Sequence, residues 1–150
     1  MKPPTRRMGQ TNHPRRLLAL DPGERRTGVA ISDELGLFAH PRAALIRGRR
    51  DLVDEVLRIV EEEGIDEVVV GLPLSMSGRE SEQTRRAREF TARLRSRLSI
   101  PVTEWDERLS SVQAARTVTG RERRSSGQLD SAAAAVILQA VLDSRRGGEA

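Results

Sequence analysis

A mixed α/β fold is predicted for this chain: a five-stranded sheet, an antiparallel three-strand meander plus parallel strands, flanked by helices. Three observations predict it. Three strand-like segments precede residue 47, and helix, strand, helix, strand and further helical segments follow. Opening strands joined by short loops make an antiparallel meander. The α-β-α-β order adds parallel strands through right-handed crossovers. Second, "DEVVVG" at 66–71 is a continuous apolar run, the pattern of a parallel strand buried on both faces. Third, 150 residues suit one domain with a substantial core.

The elements follow in order. Residues 1–15 (MKPPTRRMGQTNHPR) are Pro-rich, polar and aperiodic, which predicts a disordered basic arm ahead of a single domain at 16–146. Residues 16–21 are an apolar run ending in Asp21, and Pro22-Gly23 turns the chain. Alternation places Leu17, Ala19 and Asp21 on one face and Leu18 and Leu20 on the other. "TGVAISD" at 27–33 is the second strand, and a third lies around 43–46. Residues 51–63 have Leu52, Val53, Val56, Leu57 and Val60 at helical spacing, and Gly64 stands where helices end. After the 66–71 strand and the loop "PLSMSG", residues 80–98 form an amphipathic helix with Ala87, Phe90, Leu94 and Leu98 on one face. "PVTEWDE" at 101–107 is the last strand. A short helix is predicted at 111–118 with Ser110 as N-cap, then a basic loop at 119–128 and an Ala-rich helix at 129–145.

Composition narrows the function classes. With 37% hydrophobic and 32% charged residues and no apolar run near the roughly 20 residues of a membrane span, a soluble globular protein without a membrane partner is expected. The absence of cysteine excludes disulfides, thiolate zinc and a cysteine nucleophile, and fits a cytoplasmic protein. Only His13 and His40 are present, which argues against a His-rich metal site. The net charge of +4 owes five basic groups to residues 1–16; the rest holds 21 basic groups against 22 acids. Distribution is more telling than the total. Residues 51–67 hold eight acids and one Arg, residues 79–97 seven Arg and three Glu, and residues 116–124 four Arg and one Glu. The two basic stretches can track a phosphate backbone.

Three carboxylate stations stand where apolar segments meet turns or helix starts: Asp21, the Asp106-Glu107 pair, and Asp130. Ligands collect beyond strand ends in open α/β sheets, and Asp21 and Asp106/Glu107 fall at such ends. On a regular strand Asp106 and Glu107 point to opposite faces. One can then face the site while the other pairs with Arg108 or caps the next segment. Asp130, with Ala133, Ala134 and Ile137 at i+3, i+4 and i+7, lies on the apolar face of the last helix. Acids gathered from separate elements can hold divalent ions, and a metal pair can cut a phosphodiester. "VVVGLPLSMSG" can offer backbone amides to a phosphate, although it lacks the Gly-Lys-Ser/Thr ending of a nucleotide loop.

Four segments, "LLALDPGERRTGVAISD", "VVVGLPLSMSGRESEQTRRAREF", "PVTEWDERLSSVQA" and "QLDSAAAAVILQAVLD", resemble in order and spacing the YqgF (RuvX) family of RNase H-like bacterial proteins, over about residues 16–143. The resemblance implies an RNase H-like fold and an acidic active site. Asp21 matches the family's first-strand Asp, Asp106-Glu107-Arg108 its "DER" motif, and Asp130 the Asp of its last helix. Ser75 and Ser77 stand where the family's usual loop has Asn and Asp, and "DERLSS" replaces "DERLTT".

The acids suggest a metal-dependent nuclease, and the resemblance implies an endonuclease acting at the 5′ end of pre-16S rRNA in ribosome biogenesis, with the precursor of the small ribosomal subunit as a partner. Asp21, Glu107 and Asp130 are the expected metal ligands for Mg²⁺ or Mn²⁺, with Asp106 as substitute or support. Arg85, Arg86, Arg108, Arg121, Arg123 and Arg124 are the expected backbone contacts. A monomer or weak homodimer is expected. Rival readings are a Holliday junction resolvase, which needs a dimer, a non-catalytic RNA-binding assembly factor, and an actin-like or sugar-kinase ATPase suggested by "DPGERRTG". The last needs two lobes of this kind.

Overall fold

The computed structural model describes residues 15–48, 50–110 and 131–148. The elements are β1 (Leu17–Pro22), β2 (Arg26–Ser32), β3 (Ala39–Ile46), α1 (Leu52–Glu63), β4 (Glu67–Leu72), α2 (Glu82–Arg97), β5 (Val102–Asp106), a short 3-10 turn (Glu107–Leu109) and α3 (Ala132–Gly148). The sheet order is β3-β2-β1-β4-β5. β1 and β2 pair antiparallel, as do β2 and β3, while β4 runs parallel to both β1 and β5. The expected meander plus parallel strands is the observed topology.

Alternation along the strands sorts two cores. Leu18, Leu20, Val68 and Val70 face α1 and α2, where Val53, Val56, Phe90 and Leu94 close the layer. Leu17, Ala19, Ala30 and Val69 face α3, meeting Ala133, Ala134, Ile137 and Leu138. Small side chains on both sides let α3 lie close against the sheet. Helix ends follow the local chemistry. Asp51 caps α1 by accepting from the amides of Val53 and Asp54, and Gly64 closes it at φ 64°. Ser81 and Thr84 form a reciprocal capping box that starts α2.

Several boundaries differ from the sequence expectation, for tertiary reasons. β3 begins at Ala39, four residues before the expected start, because pairing with β2 extends it through Pro41. An edge strand tolerates a proline, which has no N–H to contribute to a ladder. β5 ends at Asp106, because the Asp106 carboxylate accepts from the Arg108 amide at 2.9 Å and bends Glu107 into the 3-10 turn. α3 continues to Gly148, past the expected end at 145. The predicted arm through residue 14, the 111–118 helix and the 119–128 loop lie outside the described residues. Among the described residues no helix is long and apolar enough to cross a membrane.

Candidate active site

At the C-terminal ends of β1, β4 and β5 the sheet presents two buried carboxylates. Asp21, 9% exposed, follows Ala19 on the α3 face of β1. The register Leu20↔Val70 brings Gly71 of β4 level with Asp21 one step on. Glu107, 5% exposed, belongs to the 3-10 turn but reaches back over β4: a Cβ on Gly71 would stand 3.0 Å from its Oε1 and 2.7 Å from Ile137 Cδ1. A side chain at position 71 would fill the ground where the Glu107 carboxylate lies. Asp21 and Glu107 thus approach from either side of Gly71, over the face that α3 covers.

Asp106 turns elsewhere. Its carboxylate grips Arg108 through Nε at 3.0 Å to both oxygens and Nη2 at 2.6 Å. The hydrogen bonds from Arg108 hold the Asp106 carboxyl below its ordinary value, outweighing partial burial, and raise the Arg108 guanidinium in return. The locked guanidinium reaches the Met76 carbonyl at 3.4 Å and lies 3.3 Å from where a Gly78 Cβ would be. The tight turn, not strand alternation, separates the two neighbouring acids.

The loop after β4 is closed on itself by a bridge between Leu74 and Glu80. The amides of Ser75, Gly78 and Arg79 bond to Arg79 O, Ser75 O and Ser75 Oγ respectively, and the Ser75 and Ser77 hydroxyls are 2.9 Å apart. Those three amides serve the loop's own shape. Gly78, at φ 80°, takes a left-handed turn that suits glycine.

Of the remaining predicted residues, Asp130, Arg121, Arg123 and Arg124 lie outside the described residues. Asp130 precedes Ser131, which is fully buried, and whose Oγ accepts the Val29 amide proton at 2.8 Å. Val29 follows Gly28, the register partner of Asp21. The start of α3 is therefore pinned beside the first acid. Among the described residues no three His, Cys, Asp or Glu side chains gather closely enough to hold a metal by themselves.

The basic face of α2 is smaller than its sequence implies. Arg88 pairs with Glu80 and Glu104, Arg93 with Asp51 and Arg97 with Asp54, and Arg95 donates to the Val102 carbonyl. Arg85 meets Glu82 at 3.2 Å in an exposed pair, the kind that contributes little, and Arg86 is exposed. Sequence reading also missed Glu67, a 3%-exposed carboxylate inside the "apolar" strand, at the opposite end of β4. It is held by Arg145 at 2.7 and 2.9 Å, by Thr103 at 3.0 Å and by Arg15 at 3.4 Å. Arg145, 78 residues away, gives no local signal of this pairing.

The sheet order, the α3 face and the acids at the strand ends define an RNase H-like fold. Two structures of Thermus thermophilus RuvC share it. One, in complex with a Holliday junction substrate, has a TM-score of 0.54 at 16% identity, covering 89% of this chain and 96% of that one. The other has a TM-score of 0.55 at 15% identity, covering 88% and 96%. The chain belongs to the RuvX family, described as "Holliday junction resolvase", whose model matches residues 15–144. It is 42% identical over 134 residues to a protein of Koribacter versatilis (87% of this chain, 88% of that protein). It is 43% identical over 139 residues to one of Geobacillus kaustophilus (87% and 99%). Both are named "Putative pre-16S rRNA nuclease".

Proposed function

We propose that this chain is a divalent-metal-dependent endonuclease of the cytoplasm that cuts structured RNA, with precursor 16S rRNA as its substrate. The observation that carries the reading is the Glu107 carboxylate lying over Gly71, level with Asp21 at the end of β1. The donor set fits Mg²⁺ or Mn²⁺: both groups are hard carboxylate oxygens on different elements, and the missing side chain at Gly71 leaves them room. Asp21, Glu107 and Asp130 are the proposed ligands. Bound there, the ion would supply Lewis acidity, activating water and neutralising charge on the leaving oxygen. Asp106 acts as a positioning residue, fixing the Arg108 guanidinium at the rim where it can meet a phosphate. The relatives' shared name favours RNA. One acid site per chain lets a monomer suffice.

A second reading is favoured by the family's description: cleavage of a four-way DNA junction by a dimer presenting two such sites. The test sets both substrates side by side. Wild type and Asp21→Asn are incubated with a pre-16S 5′-leader RNA or a DNA junction, with Mn²⁺ or Mg²⁺. Trp105, the chain's single tryptophan, lies opposite Gly71 in register, and its fluorescence is the readout chosen for metal binding apart from cleavage. RNA cutting and a metal-dependent signal, both lost in Asp21→Asn, are the expected result. Junction cutting alone establishes the second reading. Binding without metal-dependent cutting of either would leave a non-catalytic assembly factor.

A further inference from the structure

The β1–β2 turn and the chain leaving β3 form a basic corner that a count of charge along the sequence does not reveal. Arg26 is the register partner of Ile46. The Arg47 amide donates to the Arg25 carbonyl at 2.9 Å, and the Arg47 guanidinium to the Glu24 carbonyl at 3.3 Å. Arg25, Arg26 and Arg47 are all exposed and share the end of the sheet where Asp21 stands. Glu24 is the one acid in this turn, and Arg50 beyond it is loosely paired with Glu55 at 3.7 Å.

Across the strand ends, in sheet order, stand Arg47, Arg26, Asp21, Gly71 and Glu107 with Arg108. Four strand intervals of about 4.8 Å span about 19 Å. That is roughly five to six base-pair steps at about 3.4 Å each. The acids lie within this span, with cationic groups on both sides.

We propose that Arg25 and Arg47 bind the nucleic-acid backbone on one side of the acids while Arg108 holds it on the other. The strand then crosses the site and is cut internally. This rests on the nuclease reading for what crosses the site. The chemistry recognised is a run of phosphates, for which a guanidinium offers paired donors at fixed geometry.

The test measures binding of the full chain to a labelled RNA hairpin by fluorescence anisotropy, with chelator and no divalent ion, over a series of salt concentrations. Arg25→Ala/Arg47→Gln removes two cations, and the glutamine keeps a donor for the Glu24 carbonyl. The plot of log K against log salt should become shallower by about 1.5. Arg25→Ala alone, which keeps the backbone bonds, should give about half that change and serves if the double variant folds poorly. Arg58→Ala, on α1 among Glu55 and Glu62, should leave the slope unchanged. In cleavage assays KM should rise with kcat held. A wild-type slope in the double variant, or no RNA binding by the wild type, overturns the proposal. Metal-dependent cutting with an unchanged slope would refute the corner and leave the nuclease reading standing. A reduced slope without any cutting would do the reverse.

Discussion

Replacing Gly71 by alanine should damage stability and activity together, through one added methyl. The new Cβ would stand 2.7 Å from Ile137 Cδ1 and 3.0 Å from Glu107 Oε1. Ile137 is fully buried against α3 neighbours, so its terminal methyl has little space to yield. Overpacking of this kind costs about 1–3 kcal/mol. The reduced entropy of the unfolded chain returns about 0.4–1 kcal/mol. A net loss of about 1–2 kcal/mol lowers the unfolding midpoint by roughly 3–6 °C for a chain of this size. Glu107 must also retreat by a few tenths of an ångström, and small misplacements of a reacting group reduce rate about 10- to 100-fold. Thermal unfolding and metal-dependent cleavage, measured on the same preparation, check both effects. Metal-free RNA binding should persist, since Gly71 touches neither basic patch. A variant with unchanged midpoint and unchanged kcat/KM would refute the placement of Glu107 over Gly71.

Four further outcomes are expected. Glu107→Gln should lower kcat by about 10²-fold or more, as loss of several kcal/mol of charge stabilisation implies. Asp106→Ala should instead mainly raise KM, with about 1 kcal/mol lost from the missing cap; equal loss of kcat in the two variants would contradict the division of roles. Ser131→Ala leaves the buried Val29 amide without its acceptor, so calorimetry should register about 1–3 kcal/mol of destabilisation, with reduced cleavage because the start of α3 shifts. Burial alone would push the Glu67 carboxyl up, but the hydrogen bonds from Arg145 and Thr103 and the charges of Arg145 and Arg15 hold it below its ordinary 4.5. A lowered folded-state value means stability present above pH 4.5 and lost as pH falls below it through the folded-state pKa. Glu67→Gln should flatten the acid limb of the stability curve, and an acid limb identical to wild type would count against the pairing.

Much of the fold is written locally. The double-sided burial of β4 follows from its unbroken apolar run, and the separation of Leu18 and Leu20 from Leu17 and Ala19 follows from strand alternation. Asp51 and Gly64 mark the ends of α1 through caps whose bonds reach only a few residues. Ala133 and Ala134 announce a close helix–sheet contact by their size. These features rest on period, volume and short-range hydrogen bonding, all of which one stretch of chain contains.

The site depends on pairings that no single stretch contains. Sequence alone placed Asp21 at a strand end and left Asp106 and Glu107 as alternatives. The 3-10 turn, the Arg108 fork and the open space over Gly71 send one acid inward and the other to the rim. The β2–β3 register gathers Arg25 and Arg47, 22 positions apart, into one corner, while cross-helix pairs with Asp51 and Asp54 neutralise arginines that looked available on α2. Which elements form and which faces they bury are choices made by neighbours along the chain. Which charges meet is settled by the folded arrangement, because electrostatic partners are set by distance in space.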